Sequence, residues 1–295
     1  KSQSETSINV NQRTALTKLI NFNGLERMPT VAAVVAQMDG SATMTMAGTI
    51  DSAKAVKVHA ENTSQLDVSA TASTRDTESS HGALVYADVK GHAITNVTGT
   101  IQHTNTAAGA NLTSVDITSK QFSDVRTAVE ATASEGARAA LAVNVTRFKT
   151  GSETTMEGTL VNTPTTLTVA SDNETKTLRL KSKASTGDNG MISQILAGID
   201  KKLFNIGGAA NKLADAFGGS AAQGANKTNT FQGGGAFGYV ENAQLSEVTV
   251  GEDLAATQTL TVRSTSDLKD HNYVVQSKHE VKEDSQVETS GALSI

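Results

Sequence analysis

The chain has 295 residues, of which 37% are hydrophobic and 3% aromatic, with neither Trp nor Cys. That leaves too little large apolar volume for a roughly spherical domain, and it excludes thiolate metal sites, thiol catalysis and disulfides. A formal net charge of -5, with Lys and Arg dispersed, argues against a nucleic-acid partner, which needs a clustered basic footprint.

The apolar residues are mostly Ala, Val, Leu and Ile, spread evenly, which suits a narrow core drawn out along an axis. Disorder fits poorly with low net charge, two prolines and regular alternation of Val, Ile, Leu and Thr. No apolar stretch is long enough to cross a bilayer, and Lys1 opens no signal peptide. The chain starts in mid-pattern without Met, so an excerpt of a longer protein is expected.

In chain order, residues 1–31 are expected to hold a partial coil and a short helix from Arg13 to Ile20. Residues 32–186 and 236–295 carry copies of one repeating unit. The clearest match sets Gly158-Thr-Leu-Val-Asn-Thr-Pro-Thr-Thr-Leu-Thr-Val-Ala-Ser171 against Gly251-Glu-Asp-Leu-Ala-Ala-Thr-Gln-Thr-Leu-Thr-Val-Arg-Ser264, without a gap. A third copy starts at Gly48 and is one residue shorter. A fourth starts at Gly99 and reaches Val115 after a longer turn. Alternating segments precede the copies at Ala33, Ala83, Ala140 and Ala236, and others follow at Leu66, Val125, Leu178 and Tyr273.

Alternation with a period of two puts one side of each strand inward and the other in solvent. Strands of about five residues, separated by Gly, Asn and Ser turns, are expected. The glycine that opens each copy marks a corner, through a positive φ or a tight approach that excludes a Cβ. Such a unit cannot bury its apolar face alone but can do so stacked on its neighbours. The fold class expected is therefore all-β, a parallel β-solenoid, rather than a row of sandwiches of about 100 residues each.

Residues 187–235 break the pattern. Met191, Ile192, Ile195, Leu196, Ile199, Leu203 and Phe204 fall on one face at helical spacing, with Asp188 or Asn189 as cap and Gly207-Gly208 as stop. Gly218 to Gly235 is read as flexible. All such inserts fall at one corner of the coil, where a solenoid tolerates them. The helical segment is the candidate interaction segment. Packing on the solenoid flank competes there with membrane binding, to which Lys201 and Lys202 would contribute.

The chemistry-bearing residues are sparse. Of six histidines, none has the paired spacing of a zinc site, although His92 and His103 could approach across a coil. Acid pairs such as Glu252-Asp253 and Glu283-Asp284 sit in turns. A glycosidase cleft needs an aromatic floor, for which three Tyr and seven Phe are thin provision. Gly233-Gly-Gly-Ala-Phe-Gly238 lacks the ending of a phosphate loop and is read as a hinge or corner. Calcium-binding nonapeptides are absent. The sequons at Asn62, Asn96, Asn111, Asn144, Asn173 and Asn226 are the number that frequent Asn and Thr produce. Catalytic, cofactor and metal sites are accordingly expected to be none.

The Gly-Thr-Ile/Leu corners, the x-Leu-Thr-Val-x-Ser strands and the Gly/Ala-rich helical interruptions resemble filamentous-haemagglutinin-like exoproteins. The similarity is greatest to the large leukotoxin-like filamentous adhesins of anaerobic bacteria. This resemblance implies a right-handed parallel β-helix, secretion through an outer-membrane partner transporter, and adhesion at the cell surface to a host or bacterial receptor. The alternatives are a β-helical polysaccharide lyase or hydrolase, for which a lateral groove of clustered Asp, Lys and Arg would speak, and a membrane-active toxin segment.

Overall fold

The computed structural model describes residues 2–12, 30–51, 54–74, 80–104, 112–133, 139–185, 231–251, 254–278 and 289–294. Among them there is no helix. The first sheet runs β1 (Ser2–Gln12), β4 (Ala55–Thr74), β7 (Ser114–Ala133), β10 (Thr166–Ser185) and β12 (Thr259–Lys278). The second sheet, in stacking order, runs β2 (Thr30–Met46), β5 (Ser80–Val97), β8 (Ala139–Met156), β11 (Phe231–Val250) and β13 (Thr289–Ser294). A third, narrow sheet holds β3 (Thr49–Asp51), β6 (Thr100–Gln102) and β9 (Thr159–Leu160).

Every pairing is parallel, and each sheet is stacked in chain order. One coil is a strand of the second sheet, a short corner strand and a strand of the first sheet. This is the expected parallel β-solenoid. The repeat alignment read from sequence is the spatial register: Leu167 pairs with Leu260, Val169 with Val262 and Ser171 with Ser264. Likewise Ala32, Ala83, Ala142 and Ala236 form one buried column through four coils.

The corner glycines owe their identity to the coil beneath. A Cβ on Gly99 would lie 2.0 Å from the carbonyl oxygen of Gly48, and one on Gly158 would lie 2.2 Å from that of Gly99. Gly48, in the first full coil, would meet nothing within 4 Å. Close backbone approach, not a positive φ, is the constraint. The amides of Gly99 and Gly158 donate to Met46 and Val97, so each corner is hydrogen-bonded to the one before.

Strand length differs from expectation. The main strands run 17–20 residues, not about five. Gly40, Asn62 and Gly91, of the residue types expected to separate short strands, are interior positions of continuous strands. The physical reason is a polar waist inside the coil. One apolar cluster, with Leu66, Val68, Val85, Val89, Phe148 and Leu178, fills one end. A second, with Val58, Ile101, Ile117, Met156 and Leu167, fills the corner end. Between them the two sheets close on one another and polar side chains join them.

An amide stands at the waist of three successive coils, on β4, β7 and β10. Asn62 Nδ2 donates to the Gly40 carbonyl at 3.0 Å and to Gln121 Oε1 at 2.7 Å. Gln121 Nε2 donates to the Phe122 carbonyl and to Ser123 Oγ, both at 3.0 Å. Asn173 Nδ2 donates to the carbonyls of Thr150 at 3.1 Å and Leu245 at 3.0 Å. Gly91 is the complement of its long partner, because a Cβ there would lie 2.6 Å from Gln121 Nε2. Beside the amides, Thr95 and Thr154 donate to the equivalent carbonyls Thr118 and Ala170, at 2.8 and 2.7 Å. Several Ser and Thr residues thus bond across the interior.

Two further expectations change. The Gly233–Gly238 stretch, read as hinge or corner, lies within β11 and pairs residue by residue with Ala139–Asn144. Its small residues are held extended by pairing with β8 on one side and, as far as Ala236, with β13 on the other. A one-residue bulge at Lys176 in β10, matched in β12, was not anticipated. The expected helices at 13–20 and 191–204 lie outside the described residues.

The corner contact yields a paired test. Gly99→Ala should destabilise the chain by about 1–3 kcal/mol or more through overpacking, and Gly48→Ala by less than ~0.5 kcal/mol. Urea unfolding measures both. Equal effects would mean that the corners do not stack as described.

Candidate interaction surface

The outer face of the first sheet carries charges that pair between coils. Glu174 on β10 is held by Lys269 on β12 at 2.7 Å and lies 3.8 Å from Lys120 on β7. Arg263 reaches back to Asp172 at 2.6 Å, and Arg179 pairs with Asp270. Asp124 takes Arg126 at 3.2 Å and Lys176 at 3.7 Å, so the bulged lysine serves this ladder. Arg126 and Arg179 are in-register neighbours, and each has its own acid. These contacts follow from the repeat, because stacking places outward residues in columns about 4.8 Å apart, where opposite charges attract and like charges repel.

Lys120, Asp172, Glu174, Arg263, Thr265 and Asp267 line an open groove of about 600 Å³ on this face. The hydrogen bond from Lys269 holds the Glu174 carboxyl below its ordinary range and raises the Lys269 ammonium in turn. Glu174 is therefore tuned to stay ionised, as a base or a charge partner and not as a proton donor. Among the described residues no aromatic side chain lines the groove.

On the second sheet, Glu241 of β11 accepts from Arg147 of β8 at 2.7 Å and lies 2.9 Å from Lys149. Arg147 also bonds to Tyr86, and both contacts raise its pKa further while Glu241 is lowered. At the corner sheet, Asp51 accepts from the Thr104 hydroxyl and amide, which lowers its carboxyl.

Among the described residues the histidines do not converge. His92 lies 3.9 Å from Glu153 and occupies the space left by Gly151, where a Cβ would meet its ring at 2.7 Å. His103 follows β6 and its backbone amide donates to Asn162. His59 bonds to Thr118 and lies 3.6 Å from Glu61. Among the described residues no three His, Asp or Glu are grouped as a metal would require. The sequons Asn62, Asn144 and Asn173 are buried at the interior, beyond reach of a glycosyl group.

The candidate interaction segment, Met191, Ile192, Ile195, Leu196, Ile199, Leu203 and Phe204, lies outside the described residues. The groove and its ion pairs were not singled out from sequence. Their signal was present, since the unit alignment brings Lys120, Asp172 and Arg263 into neighbouring positions. No family model, curated protein or solved structure matches the chain.

The lowered carboxyls fix the sign of an acid effect. Glu174 and Glu241 contribute stability above their unfolded values near 4.5, and this is lost as pH falls through the lower folded values. For half-exposed surface pairs each contribution is about 0.5–1 kcal/mol. Urea midpoints measured at decreasing pH should fall below that range, and Glu241→Gln should flatten the decline. An unchanged slope in the variant would remove Glu241 from the account.

Proposed function

We propose that this chain is a structural segment of a secreted or surface-displayed bacterial adhesin that mediates attachment to host cells or other bacteria. The observation behind this reading is the in-register stack. It sets the outward residues of successive coils in register along one lateral surface, where weak contacts can add. The resemblance in the corner and strand motifs points the same way, and with it comes export by an outer-membrane partner transporter. Recognition is assigned to the outer faces and the corner inserts, not to a catalytic centre.

A second reading, a β-helical polysaccharide lyase or hydrolase, is favoured by the groove on the first sheet. It holds clustered Lys, Arg, Asp and Glu, the feature such an enzyme would need. Its acids are tied to Arg263 and Lys269, which favours binding of a charged chain over proton donation to a leaving group.

Fluorescently labelled chain incubated with epithelial cells and with whole bacteria should bind saturably and be displaced by unlabelled chain. Release of new reducing ends or unsaturated uronides from a panel of acidic polysaccharides, abolished by Glu174→Gln, would replace the adhesin reading by the enzyme. Absence of binding to any surface would overturn it as well.

A further inference from the structure

The two sheets meet at the waist in one column that is filled differently in three successive coils. Gly40, Gly91 and Thr150 stand in register on β2, β5 and β8. Opposite them, Asn62, Gln121 and Asn173 stand in register on β4, β7 and β10. In the second coil a glycine faces the long amide, and a Cβ on Gly91 would lie 2.6 Å from Gln121 Nε2. In the third coil a threonine faces the short amide. Thr150 Oγ1 donates to Asn173 Oδ1 at 3.3 Å, and Asn173 Nδ2 donates to the Thr150 hydroxyl at 3.2 Å and carbonyl at 3.1 Å. The first coil sets a glycine against the short amide, so neither a longer side chain nor a hydroxyl completes the pair.

Half of the third coil's arrangement is retained there. Asn62 Nδ2 donates to the Gly40 carbonyl at 3.0 Å, as Asn173 Nδ2 does to that of Thr150. The other half is missing, since Asn62 Oδ1 is buried and has no hydrogen-bond partner. Buried acceptors without a donor are rare in folded proteins, because their lost hydration is not replaced. Turning the amide over does not help, as its nitrogen already faces two acceptors, the Gly40 carbonyl and Gln121 Oε1. Space for a donor lies beside it. A Cβ on Gly40 would lie 3.4 Å from Asn62 Oδ1, an ordinary contact, whereas Gly91 has no such room. At the equivalent place the third coil holds the whole side chain of Thr150, which is larger than a water molecule.

We propose that the first coil binds one internal water at Gly40, which donates to Asn62 Oδ1 in place of the threonine hydroxyl of the third coil. The Gly40 carbonyl, already beside the amide, offers the water a second acceptor. The waist is then a run of three equivalent sites closed by three different means: a water, a lengthened amide and a threonine. This site lies between the sheets and does not depend on what the outer faces bind.

A crystal structure that shows ordered water should place one about 2.8 Å from Asn62 Oδ1. The same water should be gone in Gly40→Thr. Urea unfolding is the second measurement. Gly40→Val and Gly40→Thr fill the space alike and favour a strand alike, so the hydroxyl is what separates them. Gly40→Thr should have an unfolding constant about threefold to tenfold smaller than Gly40→Val. Thr150→Val, which removes the donor in the third coil, should raise the constant of the unaltered chain by a similar factor. Asn62 Oδ1 without water in the unaltered chain would overturn the proposal, and so would water retained beside it in Gly40→Thr. Equal stability of Gly40→Thr and Gly40→Val would overturn it too, since a donor at this place would then contribute nothing.

Discussion

A single coil of this chain has no interior of its own: its apolar residues are buried only when another coil lies in register above or below. Parallel backbone pairing between coils is therefore the constraint from which the rest follows. It aligns like with like, so that Val58, Ile117 and Val169 make one buried column and Leu66, Val125 and Leu178 another. It brings corner backbones so close that Gly99 and Gly158 have no room for a side chain. It also explains why inward-column residues of the fourth coil, Leu260 and Val262, are half exposed, while their counterparts Leu167 and Val169 are fully buried.

The polar waist is the less expected consequence. Burying Asn62, Gln121 and Asn173 loses their hydration, and this is offset by bonds to carbonyls and to each other. Most of the network is satisfied, although Asn62 Oδ1 and Thr175 Oγ1 have no partner. An apolar interior alone would tolerate sliding between similar strands. An amide that must meet a particular carbonyl or amide does not, and a one-residue slip would turn Lys120 or Asp172 inward. Glycine at 91 and threonine at 150 match the longer Gln121 and shorter Asn173 opposite, so the two sheets vary together.

The repeat, its register and its parallel stacking were legible because Gly-Thr-Ile/Leu corners and Leu-Thr-Val strands recur at positions that pair in space. The strands' true length was not legible. Gly40, Asn62 and Ser64 are turn-forming residues in isolation, and only the opposite sheet makes them interior. The recurring amide a few residues before Leu66, Val125 and Leu178 was the available sign. Local propensity reads Gly233–Gly238 as a corner, but pairing with β8 holds it extended. Nor was the bulge at Lys176 visible, since one inserted residue looks like any other until strands are aligned. The groove depends on charges from three coils and so on a register that single segments do not reveal.

Taken together, the stacked ladder supplies the scaffold, the paired charges dress its flanks, and one corner receives the inserts that vary from coil to coil. In-register stacking is the claim to test most directly, by nitroxide labels in this cysteine-free chain. Thr71, Glu130, Lys183 and Gln276 form one outward column of the first sheet. Labels at Thr71→Cys and Lys183→Cys are two coils apart, about 10 Å along the backbone, and those at Thr71→Cys and Gln276→Cys three coils, about 14 Å. Strong dipolar broadening in the first pair and weaker broadening in the second is the result this structure requires. Broadening absent from the first pair, or equal in both, would contradict a parallel, in-register solenoid.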